Sequence, residues 1–161
     1  MARKKPSSFT PRIVNRKARH DYHVLEKTTC GVVLTGSEVK SVRQGQVSLA
    51  EGFARIEPKR MELWLHNVDI APYAQAGSES GHEPKRTRKL LARKREIARI
   101  HGLTSTKGTT IIPLTLFFSR GYVKVEIGIC HGKRQYDKRQ DIKKRETGRE
   151  MRKAMTRKVI R

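Results

Sequence analysis

The 161 residues carry a formal net charge of +22, and nearly all of that excess is confined to three blocks. Residues 1–20 hold seven basic side chains and no acid, residues 84–101 hold eight against one, and residues 131–161 hold thirteen against four. The stretches between them are nearly balanced: residues 21–83 sum to −3 and residues 102–130 to +2. A chain built this way cannot pack everywhere, because concentrated like charge opposes a compact state. The arrangement predicts a folded body with a basic arm, a basic helix and a basic tail.

The natural partner of such a particle is a polyanion, since each phosphate neutralised releases condensed counterions and strengthens binding. Only 35% of the residues are hydrophobic while 32% are charged, so one core flanked by solvated segments is expected. Cys30 and Cys130 lie 100 residues apart in apolar, strand-like runs with no metal-ligand spacing, which predicts buried free thiols and a cytoplasmic location. The start Met1-Ala-Arg-Lys-Lys-Pro has no apolar run behind its charges, and no stretch approaches the roughly 18 apolar residues of a membrane span. No membrane partner is expected.

Hydrophobic periodicity places the elements. Residues 1–19 show none and read as a basic arm, disordered or ordered by RNA. Tyr22–Thr35 is rich in β-branched and aromatic residues and reads as one long strand or two, bent at Gly31. Thr35 and Glu38 form a T-x-x-E capping box for a helix near 36–44 that Gly45 ends. Ser48–Glu57 and Met61–Ile70 read as paired strands, with Met61, Leu63 and Leu65 on the buried side. Residues 74–84 read as a loop, and 87–101 as a helix ended by Gly102, with Leu90, Leu91, Ile97, Ala98 and Ile100 on one side and Arg88, Arg95 and Arg99 opposite. Thr109–Ser119 and Tyr122–Cys130 form the clearest hairpin around Arg120-Gly121, with Lys124 beside Tyr122 on its outer face. Residues 132–161 form a tail that cannot offset its ordering entropy alone; it is expected to be disordered when free and helical on contact with RNA. Several strands without βαβ alternation predict a mainly β fold over residues 20–131: a small closed antiparallel OB-like barrel with embedded short helices.

Catalytic constellations are missing from the sequence. Lys107-Gly108-Thr109 is not a phosphate-binding loop, His82-Glu83 is followed by Pro84 with no second histidine in place, and acids are too scarce for paired-carboxylate chemistry. No catalytic residue, metal ligand or cofactor is expected.

Four blocks carry a resemblance. Asn15-Arg-Lys-Ala-Arg-His-Asp-Tyr22, Leu34-Thr-Gly-Ser-Glu-Val-Lys-Ser-Val-Arg43, Arg86-Thr-Arg-Lys-Leu-Leu91 and Gly132-Lys-Arg-Gln-Tyr-Asp-Lys-Arg139 resemble, in order, motifs of the SsrA-binding protein (small protein B) family. The resemblance implies binding to the tRNA-like domain of transfer-messenger RNA and delivery, with elongation factor Tu, to stalled ribosomes. It implies a tail lying in the vacant mRNA channel near the decoding centre against ribosomal RNA, no bond chemistry by the protein itself, and a monomer. A structural ribosomal protein that binds ribosomal RNA is the competing reading from composition alone.

The positions carried over as RNA-binding or supporting are Asn15, Arg16, Arg19, His20, Tyr22, Glu38, Lys40, Arg43, Arg88, Lys89, Leu91 and Lys124. Asn15 suits a base edge or sugar, Arg19 and Lys124 suit phosphate, and His20 and Tyr22 suit stacking on unpaired bases. Glu38, as a capping acid, is structural first, and Leu91 is expected in the core, shaping the surface. For the tail the resemblance implies ribosome contacts by Gly132, Lys133, Arg134, Tyr136, Asp137, Lys138, Arg139, Lys143, Lys144 and Arg145. The chain departs from the family at Thr29, where glutamate is frequent, and at Tyr136, where histidine is frequent. Tyr136 is therefore expected to stack rather than to carry a proton.

Overall fold

A continuous apolar run in β8 and period-two alternation in the first half of β9 make two long strands over residues 109–132, and the rest of the sheet is assembled around them. The computed structural model describes residues 11–73 and 81–134, together with 137, 139, 146–153 and 155. In chain order the elements are β1 (Ile13–Val14), α1 (Arg16–Asp21), β2 (Tyr22–Val32), α2 (Gly36–Arg43), β3 (Val47–Ser48) and β4 (Phe53–Glu57). They continue with β5 (Glu62–His66), β6 (Asp69–Ile70), β7 (Arg88–Leu91), α3 (Lys94–Thr104), β8 (Thr109–Ser119) and β9 (Tyr122–Gly132).

The β8–β9 turn places Arg120 at φ 52° and Gly121 at φ 84°. Two successive left-handed residues match the right-handed twist of the flanking strands, which fixes the hairpin register. From β9 the antiparallel pairing runs to β2, then β7, β5 and β4, and β4 returns to β8 where Ala54 faces Ile111. The six strands thus close into a ring, and the OB-like, mainly β expectation holds. β1 adds to β8 from outside, and β3 and β6 form a separate small pair.

The interior is filled by Leu63, Leu65, Val125, Ile127 and Ile129, which alternate as read from the sequence, together with Leu90 of β7 and Leu116 of β8, and is closed by Val42 of α2 and Ile97 and Ile100 of α3. Each such side chain stabilises the fold by about 1.5–3 kcal/mol. A second cluster of Ala18, Ile112, Leu114 and Cys130 lies between α1 and the hairpin, with Tyr22, Val24 and Phe53 at its margin. Gly128 makes room for it, since a Cβ there would stand 2.8 Å from Leu114 Cδ1. Both cysteines are buried free thiols, and burial pushes each up to about 11.

Four expectations are corrected. Residues 88–91 are strand, not helix: their backbone groups are claimed by β5 and β2, and α3 begins at Lys94 and runs through Gly102 to Thr104. Pairing across the sheet outweighs a helical spacing that a short apolar run cannot by itself distinguish. Residues 13–19, read as part of a free arm, instead fold as β1 and most of α1 against β8. β2 carries its register shift between Val24 and Glu26, not at Gly31, which is paired on both sides. Met61 sits in the β4–β5 turn at φ 50°, exposed, while Leu63 and Leu65 alternate inward as expected. Residues 1–10 of the arm and 74–80 of the expected loop lie outside the described residues.

Candidate nucleic-acid interface

Register sets one row of residues on the outside of the ring. Gly31 in the middle strand faces Leu91 of β7 on one side and Lys124 of β9 on the other. With no side chain at Gly31, the backbone is bare between a leucine and an ammonium. A Cβ at that position would lie 3.3 Å from Leu91 Cβ. The resulting groove, about 350 Å³, is lined by Gly31, Val32, Leu34, Leu91, Tyr122 and Lys124, among others. Leu91 is 54% exposed and Tyr122 75% exposed. Leu91 is therefore not in the core as expected: it lies on the outward side of β7 while Leu90 fills the interior. Large apolar side chains held in water beside a cation mark a binding surface rather than a failed core.

A buried ion cluster holds this edge of the groove in place. Glu38 is fully buried, and its Oε2 accepts hydrogen bonds from the Thr35 N–H at 2.7 Å and Arg86 Nη2 at 2.6 Å. Its Oε1 accepts from Arg86 Nε at 2.7 Å and Arg88 Nε at 2.9 Å. Burial alone would raise the carboxyl pKa, but the bonds from Arg86 and Thr35 and the charge of Arg88 outweigh it and hold Glu38 at about 2. Arg88 is itself fully buried and donates from Nη1 to the carbonyls of Val68 at 2.7 Å and Arg86 at 3.0 Å, and from Nη2 to that of Pro84 at 2.8 Å. Arg88 is thus not a surface cation, as the helical reading implied. Extended backbone puts Arg86 and Arg88 on one side, and both close on Glu38 while Lys89 and Leu91 take the alternate sites. Arg86 is the residue the sequence reading left out of the site; its signal was the R-x-R spacing, whose period of two belongs to a strand.

Around α1 the expected residues separate into support and surface. Asn15 is buried and caps the helix: its Oδ1 accepts from the Ala18 N–H at 2.9 Å, and its Nδ2 donates to the carbonyls of Leu49 at 2.7 Å and Pro113 at 3.0 Å. Nothing of its amide faces outward, so the expected contact with a base edge is replaced by a structural role. Arg16 and Arg19 are exposed, and His20 Nδ1 lies 2.9 Å from Asp21 Oδ1. Tyr22 is half-buried at the margin of the second core cluster. On α2, Lys40 lies 5.0 Å from the centroid of the Tyr73 ring and Arg43 5.9 Å from that of Phe118; both are exposed.

The start of the tail is tied to α1. The Lys133 N–H donates to the Asp21 carbonyl at 2.9 Å and its Nζ to that of Arg19 at 3.1 Å. The Arg134 N–H donates to Asp137 Oδ2 at 3.3 Å, and Gly132, Arg134 and Arg139 are exposed. Residues 146–153 are helical. Tyr136, Lys138, Lys143, Lys144 and Arg145 lie outside the described residues.

Among the described residues no group of three or more His, Cys, Asp or Glu is placed to hold a metal ion, and no helix is long and apolar enough to cross a membrane. A family model described as SmpB protein matches residues 12–157. The chain belongs to the SmpB family. It is 54% identical over 141 residues to the SsrA-binding protein of Carboxydothermus hydrogenoformans, covering 88% of this chain and 93% of that protein. To the SsrA-binding protein of Latilactobacillus sakei it is 50% identical over 156 residues, covering 96% and 98%. A solved chain described as "tmRNA-SmpB: a journey to the center of the bacterial ribosome" superposes with a TM-score of 0.66 at 44% identity, covering 82% of this chain and 94% of that one.

Membership gives the departure at Thr29 a structural setting. Thr29 pairs across the strands with Glu126, whose carboxylate lies 3.9 Å from Lys27 Nζ. A carboxylate is therefore present one strand over from Thr29, on the same face as Lys124.

Proposed function

We propose that the chain binds the tRNA-like domain of transfer-messenger RNA and delivers it to stalled ribosomes for trans-translation. The observation that carries this reading is the Leu91–Gly31–Lys124 row, which offers a flat, uncrowded floor with an apolar wall and a cation. A ribose or unpaired base fits against Gly31 and Leu91 while Lys124 neutralises the adjoining phosphate, and Tyr122 supplies a ring for stacking. Lys89, Lys40 and Arg43 extend the positive margin, and Arg16, Arg19 and His20 on α1 form a second one. Asn15, Glu38 and Arg88 act beneath the surface by fixing α1, α2 and β7.

The tail from Gly132 onward, with Lys133, Arg134, Tyr136, Asp137, Lys138, Arg139, Lys143, Lys144 and Arg145, is assigned to the mRNA channel near the decoding centre. Tyr136 stacks there on a ribosomal base. The protein acts in the cytoplasm as a monomer, without catalysis of its own, in a delivery complex that includes elongation factor Tu. Sequencing the RNA that copurifies with the protein from its native cells tests the reading. One dominant RNA with a tRNA-like end and an internal reading frame is expected. Ribosomal RNA in equal proportion to the protein would instead make it a structural component of every ribosome.

A further inference from the structure

Trp64 and His66 stand two residues apart on the outer side of β5, and the register surrounds both. Arg55 of β4 and Lys89 of β7 lie opposite Trp64 on either side. The Lys89 ammonium is 5.8 Å from the indole centroid. Phe53 lies opposite His66, their rings stacked at 5.1 Å and 16°, and Thr87 Oγ1 is 3.3 Å from His66 Nδ1. A mainly apolar cavity of about 470 Å³ opens among Trp64, His66, Arg55, Glu57, Pro58 and Thr87.

We propose that this cavity is a stacking site for one unpaired nucleobase of an RNA strand, with Arg55 on the phosphate and Glu57 on the base edge. Side chains at alternate positions of a strand face are about 6.8 Å apart, twice the thickness of an aromatic layer, so one planar ring fits beside Trp64 and His66. Burial, and then the charge of Arg55, lowers the pKa of His66 and favours the neutral ring. Arg55 is exposed and takes part in no ion pair among the described residues, which leaves its guanidinium for a phosphate.

The acids point the same way. Glu57 and Glu62 are direct cross-strand partners, a like-charge pair that costs stability unless countered. Lys89 neutralises Glu62 at 2.5 Å. Glu57 remains on the cavity wall as an acceptor, which the exocyclic amino group of adenine, cytosine or guanine meets with N–H donors, whereas uracil offers a single N3–H flanked by two carbonyl oxygens that the carboxylate repels. A second copy of a +22 chain is repelled, which disfavours self-docking here. Lys89, over the Trp64 ring, and Leu91, on the wall of the Gly31 groove, alternate on the outer side of β7, so both sites flank one strand.

Trp64 is the one tryptophan of the chain, so its emission reports this site alone. The full-length protein is titrated with an unstructured hexa-adenylate, followed by tryptophan fluorescence and by anisotropy of the labelled oligonucleotide. Saturable quenching is expected, with the midpoint raised about tenfold in Arg55→Ala and anisotropy affinity kept in Trp64→Phe but lowered about tenfold in Trp64→Ala. Binding by anisotropy with unchanged Trp64 emission would overturn the site. Equal quenching by hexa-uridylate would overturn the role of Glu57. Gel-shift binding of the tRNA-like RNA is a separate readout, so failure of the proposed function and failure of this site are told apart.

Discussion

Arg88 and Glu38 form an ion pair with no solvent exposure on either side chain, Nε to Oε1 at 2.9 Å, and this pair joins α2 to the strand that carries Leu91. Removing Glu38 leaves Arg88 buried without its carboxylate partner, and removing Arg88 leaves the buried Glu38 with Arg86 as its remaining cation. Arg88→Met and Glu38→Ala are each expected to destabilise the fold by about 3–5 kcal/mol, and the double variant by less than the sum. The midpoints of urea unfolding for the three variants measure this.

Glu38 also makes stability depend on pH. Its carboxyl is held at about 2 when folded and returns to its ordinary value of 4.5 when unfolded. The unfolded state therefore binds the proton more readily, so the contribution is present above pH 4.5 and is lost as the pH falls toward 2. Over that window about 3 kcal/mol disappears from this group alone. Thermal unfolding across pH 2–5 should show a shallower acid slope in Glu38→Gln than in the unaltered protein.

Asn15 is expected to act on stability rather than on RNA. Asn15→Ala removes the cap of α1 and the Nδ2 donor to the carbonyls of Pro113 and Leu49, the latter keeping only the Gly52 N–H at 3.2 Å, a loss of about 2 kcal/mol. Urea unfolding measures the loss. RNA affinity measured well below the unfolding transition should remain within about twofold, and a large drop there would return Asn15 to the interface.

Lys124 and Gly31 test the groove from its two ends. Lys124→Ala should weaken binding of the tRNA-like RNA about tenfold and reduce the magnitude of its salt-dependence slope by about 1. Gly31→Val fills the bare floor and pushes on Leu91, and should abolish tight binding while Lys124 is intact. Filter binding at several salt concentrations separates loss of charge from loss of shape. Glu126→Ala, on the same face, should change affinity severalfold if the carboxylate beside Thr29 meets RNA.

The tail should separate from the body at a boundary the structure moves. β9 runs to Gly132 and Lys133 is bonded to α1, so truncation after residue 134, not 130, should spare RNA affinity and abolish rescue. Tyr136→Ala should behave like the truncation. Tyr136→Phe should retain rescue; a loss as severe as that of alanine, in a peptide-tagging assay, would show that the hydroxyl matters.

What the sequence determined by itself is whatever depends on neighbours along the chain. The β8–β9 hairpin follows from two apolar runs, the second alternating with period two, around Arg120-Gly121, the α2 capping box from the spacing of Thr35 and Glu38, and the outward position of Lys124 from its place among Val123, Val125 and Ile127. The family was legible too, because four motif blocks in order are more than local chemistry. Tertiary structure decided the rest. Residues 88–91 satisfy their backbone only through β5 and β2, strands placed more than 20 residues away, so a helical spacing became a strand, Arg88 turned inward and Leu91 outward. Asn15 likewise found its partners at Leu49 and Pro113, which no local pattern names. A side chain's period fixes which face it takes, but only the strands that close over that face decide whether it meets the core, another charge or a ligand.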